Sequence, residues 1–180
     1  MSSWLFLSGE FPPEPGGVAD YTRAVAEGLA QRGHEVHVAA PRSRRGTPPA
    51  GLAEVHLLSD SFGPRGLTQL TSLVRELRPA RLFVQYVPHA FGYRALNLGF
   101  CAWLWSQSRR VPVWTQFHEV AYPYQRPVWR RTNLLAAGHQ AMAALASRAS
   151  ERRFVTTRAW ERHLTRWDPS PPIWLPVPSN

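Results

Sequence analysis

A pair of adjacent glycines, Gly16 and Gly17, stands between a proline-rich loop and a segment with helical periodicity. Two glycines at the N-terminus of a helix carry no side chains that block a ligand. Backbone N–H groups and the positive end of the helix dipole can therefore approach an anion or a hydroxyl-rich ligand closely. The same pair is equally compatible with a simple loop end.

A single histidine, His118, directly follows an apolar run and has Glu119 beside it. An imidazole in this place can hydrogen-bond a ligand hydroxyl or stabilise a developing positive charge, although it can also merely close the strand. The other histidines are spread singly, without the spacing of metal ligands; they are His34, His37, His56, His89, His139 and His163. The three aspartates form no Asp-x-Asp pair, so we expect no metal and no other cofactor at the site.

The elements that must position these residues alternate between strands and helices. Apolar runs predict seven strands, at residues 4–7, 35–40, 54–58, 81–87, 111–117, 153–156 and 172–175. Helical periodicity predicts helices at residues 18–29, 67–77, 93–108, 134–149 and 159–167. This alternation favours an α/β fold with a doubly wound, mostly parallel, Rossmann-like sheet and helices on both faces.

Ligands of such sheets gather beyond the carboxyl ends of the strands. The segments to consider are therefore 9–17, 85–89, 118–119 and 156–158, and each holds polar residues or glycine. On this ground Glu119, Thr157 and Arg158 are predicted to bind substrate.

The composition narrows the class of protein. The chain has 180 residues, a net charge of +9 and 21 basic residues, all of them arginine. The arginines are scattered and no nucleic-acid-binding motif is present, so we do not expect a nucleic-acid partner. One cysteine, the absence of a signal-peptide pattern and the absence of a long apolar segment favour a cytoplasmic location.

Two stretches suggest contact with the inner face of a membrane. Residues 93–110 are apolar and rich in tryptophan, then doubly basic, and an ordinary core helix explains them equally well. In residues 122–131 aromatic and basic side chains interleave, as at an interface with anionic lipid. The predicted contact residues there are Arg126, Trp129, Arg130 and Arg131.

The opening FPPEPGGVADYTRAVAEGLAQRGHEVHVAAP resembles the start of the family 4 glycosyltransferases, which have the two-domain GT-B fold. The likeness continues, in the family's order, in QFHE, in RRFVTTRAWERHL and in WLPVPSN, which resembles a hinge. The resemblance implies an acceptor-binding N-terminal domain at residues 1–175, one half of a GT-B fold. Residues 176–180 would begin the hinge to a C-terminal donor domain.

The resemblance also implies roles for individual residues. Gly16 and Gly17 would lie beside the donor diphosphate and the acceptor, and His118 would be the catalytic residue near the transferred sugar. The mouth of the site would be lined by Glu10, Asp20 and Tyr21.

The leading interpretation is thus the acceptor-binding domain of a retaining, metal-independent glycosyltransferase that uses a nucleotide-sugar and a cell-envelope lipid or polysaccharide acceptor. Such a domain would be inactive without its donor domain or a partner chain. A first alternative is a non-catalytic, acceptor-presenting or membrane-recruiting subunit of a two-chain enzyme. A second alternative is a flavodoxin-like module that binds another phosphorylated small molecule.

Overall fold

A computed structural model of the chain describes residues 1–92, 95–126 and 132–177. Seven parallel strands form one sheet in the order β3-β2-β1-β4-β5-β6-β7. The strands are β1 (Ser3–Ser8), β2 (Glu35–Pro41), β3 (Glu54–Phe62), β4 (Arg81–Tyr86), β5 (Val113–Phe117), β6 (Arg152–Val155) and β7 (Ile173–Trp174).

Five α-helices connect or follow these strands in the described residues. They are α1 (Gly17–Gln31), α2 (Pro64–Leu77), α3 (Leu98–Gln107), α4 (Thr132–Ala149) and α5 (Glu161–Leu164). Short 3-10 turns lie at Pro88–Phe91 and Arg158–Trp160.

Both faces of the sheet carry a hydrophobic core because successive strand residues point to opposite faces. Leu5 and Leu7 of β1 belong to the core that α2, α3 and α4 cover. Trp4 and Phe6 belong to the second core, which is covered by α1 through side chains such as Leu29. The predicted doubly wound parallel sheet with helices on both faces is therefore confirmed.

The face of the sheet that α1 covers also carries a layer of aromatic side chains beyond the helix. Phe83, Trp114 and Phe154 contact one another, with ring centroids 5.7 Å apart for Trp114 and Phe154. The guanidinium groups of Arg81 and Arg152 each lie 5.0 Å from the Trp114 ring.

Some predicted boundaries are wrong. The helix expected from residue 93 begins at Leu98, because the Asn97 side chain accepts a hydrogen bond from Phe100 N and caps it, and because Ala95 has a positive φ of 70°. Strand β3 continues past Leu58 to Phe62, and α5 ends at Leu164 rather than near residue 167.

The apolar helix α3 has two different sides. Phe100 and Leu104 are buried, whereas Trp105 is 42% exposed and stacks on Arg109 at 4.1 Å. Within the three described ranges, no helix combines the length and the apolar character needed to cross a membrane.

Candidate functional site

The site lies where the sheet changes its direction of winding. From β1 the chain crosses to β2 on one side, whereas β4, the other neighbour of β1, is followed by β5 on the opposite side. The crevice beyond the carboxyl ends of two such strands is where α/β sheets of this type bind ligands. Helix α1 begins at this edge, directly after the loop that follows β1.

A row of buried polar side chains forms the floor of this crevice. Ser8, Gln85 and Gln116 are paired across β1, β4 and β5, and all three are fully buried. By strand alternation they point to the face that α1 covers, as Phe83 and Trp114 do two residues earlier. Within the described part of the chain, Gln85 Nε2 and Gln116 Oε1 are buried without a hydrogen-bond partner. Because a buried polar group costs free energy unless it is hydrogen-bonded, these two atoms indicate a binding site.

His118 lies two residues after Gln116, directly beyond the end of β5, and its side chain points to the same face. Its Nε2 atom is 2.7 Å from Oε1 of Gln85, and its ring meets the ring of Tyr21 edge-on, with centroids 5.6 Å apart. Three elements therefore hold the imidazole: the end of β5, the buried amide of β4 and the first turns of α1.

Burial lowers the pKa of His118 from 6.5 to about 4, so the imidazole is neutral at pH 7. Since Oε1 of Gln85 can only accept, Nε2 carries the proton and Nδ1 is left as an acceptor. A neutral ring with a free acceptor nitrogen suits a ligand hydroxyl that donates a hydrogen bond.

Tyr21 provides a complementary group. Burial raises the pKa of its hydroxyl, an effect that the Gln116 side chain partly offsets. The phenol therefore stays protonated at neutral pH and can both donate and accept. Tyr21 and His118 together present the donor and acceptor pattern that a hydroxyl-rich ligand requires.

The glycine pair differs between its two members. A Cβ atom at Gly16 would lie 2.6 Å from Oε1 of Glu10, whereas a Cβ atom at Gly17 would meet nothing within 4 Å. The Glu10 carboxylate accepts a hydrogen bond from Ala19 N at 3.2 Å, in the first turn of α1. Gly16 thus makes room for a carboxylate that already occupies part of the helix N-terminus, and Gly17 leaves open space beside it.

The remaining predicted residues are more dispersed. Asp20 is exposed in the first turn of α1, and Glu119 pairs with His89 at 3.4 Å, with both side chains exposed. Thr157 precedes the 3-10 turn after β6, and Arg158 stacks on Trp174 of β7 at 4.8 Å. The structure therefore brings Glu10 to Gly16 and Tyr21 to His118, while Thr157 and Arg158 lie along the β6–β7 side of the rim.

The predicted membrane-contact residues are only partly described. Arg126 is exposed, and Tyr122 and Tyr124, in the same loop, are 49% and 60% exposed. Trp129, Arg130 and Arg131 lie outside the described residues.

Sequence reasoning included Gln85 in the segment 85–89 and Gln116 in the motif QFHE, but it assigned neither of them a role, and it did not consider Ser8. The signal was present for the two glutamines, since each interrupts a run of apolar residues in a strand that is buried on both faces. Which of them would lie beside His118 depends on the order of the strands, which the local pattern does not contain.

The expectation that the histidines lie singly is wrong for one pair. Nδ1 of His37 and Nε2 of His56 are 3.1 Å apart, on neighbouring strands β2 and β3. Their separation of 19 residues in sequence hides a contact that parallel pairing creates.

The family model for the glycosyl transferase 4-like domain matches residues 16–179 of the chain. The chain belongs to this family. The resemblance stated from the sequence is thereby confirmed. A comparison with curated protein sequences gave no match.

Similar solved structures agree with a Rossmann-like half of a GT-B fold. An alpha-glucosyltransferase in complex with UDP and a DNA 13-mer containing an HMU base has a TM-score of 0.61 and 12% identity, over 99% of this chain and 43% of that one. A ugt transferase from Siraitia grosvenorii in complex with UDP has a TM-score of 0.55 and 11% identity, over 98% and 47%. The dTDP-glucose 4,6-dehydratase of Bacillus anthracis str. Ames, in complex with NAD, has a TM-score of 0.51 and 6% identity, over 86% and 54%. The chain thus spans about half the length of these proteins.

Proposed function

We propose that this member of the glycosyl transferase 4-like family binds the acceptor in the transfer of a sugar from a nucleotide-sugar to a cell-envelope lipid or polysaccharide. The observation that carries the proposal is the neutral His118, held by Gln85 and Tyr21 above a buried polar floor. These groups present hydrogen-bond donors and acceptors for hydroxyls at the edge of the sheet where ligands bind.

The chemistry assigns His118 a role in the transfer step. Glycosyl transfer passes through an oxocarbenium-like transition state. The lone pair of a neutral imidazole can accept a hydrogen bond from a hydroxyl of the transferred sugar and stabilise its positive charge. The proposed transfer retains the configuration of the sugar and needs no metal ion, and both features are taken from the resemblance to family 4.

The Glu10 carboxylate favours the acceptor over the diphosphate as the ligand beside α1. A negative charge already interacts with the N-terminus of the helix, through Ala19 N, and would repel a second anion there. A hydroxyl, in contrast, can donate to the carboxylate. In the proposal, the acceptor binds between Glu10 and the open side of Gly17, where an added Cβ atom would meet nothing within 4 Å.

In this proposal, the donor nucleotide-sugar binds to a second domain or to a partner chain. The proposal is supported by the alignment, since this chain covers only 43% and 47% of the two transferase structures. On this division of labour the 180-residue chain binds acceptor without turning over donor.

Two measurements on the 180-residue chain test the proposal. Incubation with UDP-, GDP- and dTDP-sugars plus a glycolipid acceptor should release no nucleoside diphosphate above the background, and clear turnover would refute the division of labour.

Saturation-transfer NMR with short glycans and glycolipids should detect binding to the chain. His118→Asn should weaken this binding about tenfold, which corresponds to the free energy of one hydrogen bond. The matched control His163→Asn, on α5, should bind as the original chain does. Equal binding by both variants would refute the acceptor site.

We further propose that the chain binds peripherally to the cytoplasmic face of a membrane. The loop that carries Tyr122, Tyr124 and Arg126 follows His118 and Glu119 directly, so it lies beside the acceptor site. Exposed aromatic rings beside arginine suit the head-group region of an anionic bilayer. A lipid-linked acceptor would then reach the rim without leaving the membrane.

A further inference from the structure

A second group of titratable side chains lies at the other end of the sheet, on the strands β2 and β3. His37 is the third residue of β2 and pairs with Glu54, the first residue of β3, while His56 follows two positions later. Residues two apart on one strand point to the same side, so parallel pairing collects the three side chains. Among the described residues, they are the one group of at least three His, Cys, Asp or Glu side chains whose possible metal-ligand atoms all lie within 4.8 Å of one another.

The distances within this group fit the edges of a coordination tetrahedron. Zinc bonds of about 2.0–2.1 Å to nitrogen or oxygen place neighbouring ligand atoms about 3.3–3.4 Å apart. Nδ1 of His37 lies 3.1 Å from Nε2 of His56 and 3.4 Å from a carboxylate oxygen of Glu54. His56 Nε2 lies 3.9 Å from the other carboxylate oxygen of Glu54, and this exposed side chain can rotate to bring one oxygen close to both rings.

The buried histidine is also oriented as a metal ligand would be. The other ring nitrogen of His37, Nε2, lies 3.2 Å from a carboxylate oxygen of Glu35. A carboxylate that accepts from the outer N–H of a histidine fixes the tautomer, so that the inner nitrogen offers its lone pair to a metal. With His37 almost fully buried and held from both sides, the site is organised around a fixed first ligand.

An ion can reach the group from solvent. His56 lines an open cleft between β3 and α2, together with Ser72 and Glu76. Glu54 is largely exposed, so the fourth position of a tetrahedron is accessible to water. Two imidazoles and one carboxylate are a ligand set that zinc and neighbouring divalent transition metals accept, whereas magnesium and calcium prefer oxygen ligands alone.

We propose that His37, His56 and Glu54 bind one divalent transition-metal ion, Zn²⁺ in particular, with Glu35 as the positioning residue for His37. The ion joins β3, the edge strand of the sheet, to β2. It lies near the amino ends of these strands and so at the opposite end of the sheet from His118. The site is independent of the proposed transfer chemistry.

The test is metal binding to the 180-residue chain, purified without a histidine tag and treated with a chelator. Titration with CoCl₂ should give one cobalt per chain and the strong visible absorption of four-coordinate cobalt, which ZnCl₂ then displaces. With Zn²⁺ at 100 times its dissociation constant, the thermal midpoint should rise by about 5–10 °C.

Variants locate the ion without touching the buried histidine. His56→Asn and Glu54→Gln should each weaken cobalt binding at least tenfold, and the matched control His163→Asn should leave it unchanged. Glu35→Gln should lower the affinity about 10–100-fold while the absorption keeps its four-coordinate shape, because the ligands themselves remain. The proposal would be overturned if the chain bound no cobalt, or if it bound cobalt equally well after both ligand substitutions. The contact between His37 and His56 would then be only a hydrogen bond.

Discussion

At the scale of single residues, the candidate site depends on keeping two ionisable groups in their neutral forms. Burial holds His118 neutral by lowering its pKa, and it holds the Tyr21 phenol neutral by raising its pKa. Two carboxylates flank them, Glu10 against the start of α1 and Glu119 against His89, while the guanidinium of Arg158 lies farther along the rim. Neutral groups flanked by carboxylates are suited to hydroxyls rather than to a free anion.

The burial of His118 predicts a specific dependence of stability on pH. The folded pKa is about 4 and the ordinary value is 6.5, so between these values the unfolded chain binds more protons. The free energy of unfolding therefore rises with pH across this window, by at most about 3 kcal/mol from this group. Urea unfolding at several pH values should show the slope, and His118→Gln should reduce it. His163→Gln, the control, should not change it; an identical slope in His118→Gln would contradict the assigned burial.

The two glycines should respond differently to alanine. In Gly16→Ala the new Cβ atom displaces the Glu10 carboxylate and removes the hydrogen bond from Ala19 N, at a cost of about 1 kcal/mol. Gly17→Ala finds open space and no positive φ, so its stability should be unchanged or slightly higher. Thermal unfolding measures both variants. Equal losses at the two positions would show that the carboxylate does not occupy the helix N-terminus.

At the scale of elements, the rim depends on how β6 and β7 are tied together. Arg153 of β6 is buried and forms an ion pair with Asp168 at 3.1 Å. Its guanidinium also donates to Ser147 Oγ of α4 and to the carbonyl oxygens of Asp168 and Ser170. One side chain therefore joins β6, α4 and the segment that leads into β7, where Trp174 meets Arg158.

Removing this connection should destabilise the chain. Arg153→Ala removes the donor of two carbonyl oxygens and the cationic partner of the Asp168 carboxylate, and should lower the free energy of unfolding by about 2–3 kcal/mol. The neighbour Arg152 is exposed and stacks on Trp114, so Arg152→Ala is the matched control, with an expected loss below about 1 kcal/mol. Urea denaturation compares the two. A smaller loss for Arg153→Ala than for the control would contradict the connection.

Local patterns predicted the elements well because each strand is a short apolar run bounded by glycine, proline or polar residues. The predicted boundaries are wrong where tertiary contacts, rather than the local sequence, determine where an element begins or ends. The β3 strand continues through Ser59 and Asp60, whose polarity suggests a loop, and α3 starts late because Asn97 caps it with contacts to Phe62 and Phe91.

The candidate site was predictable only in part for the same reason. His118 and the glycine pair follow from their positions at strand and helix ends. The partnership of His118 with Gln85, like that of His37 with His56, arises from strands that pair across the sheet. Strand order and register are global properties, which the spacing of residues along the chain does not encode.

At the scale of the whole molecule, the two ends of the parallel sheet carry different chemistry. The carboxyl ends hold the neutral His118 and Tyr21, and the amino ends of β2 and β3 hold the pair of histidines with their carboxylates. A loop with exposed aromatic residues leaves the first of these ends. In our proposal, the molecule binds both an acceptor and a membrane on this one side.

Binding to a membrane should depend on basic residues of that loop. Charge reversal of Arg126, Arg130 and Arg131 to glutamate should abolish cosedimentation with vesicles that contain anionic lipid, since each basic residue near such a surface contributes about 1 kcal/mol. Reversal of Arg65, Arg75 and Arg78 around α2 changes the net charge equally and is the control. Equal loss in both triple variants would indicate attraction by net charge alone.

The central claim is that the rim formed by Gly17, Tyr21 and His118 is the acceptor site. It is tested most directly by NMR of the labelled chain during titration with short glycans and with glycolipids below their micellar concentration. We predict that the resonances of Gly17, Tyr21 and the His118 imidazole shift together and saturably, while those of His37 and His56 stay in place. Saturable shifts confined to another surface, or none at this rim with any of these probes, would contradict the account.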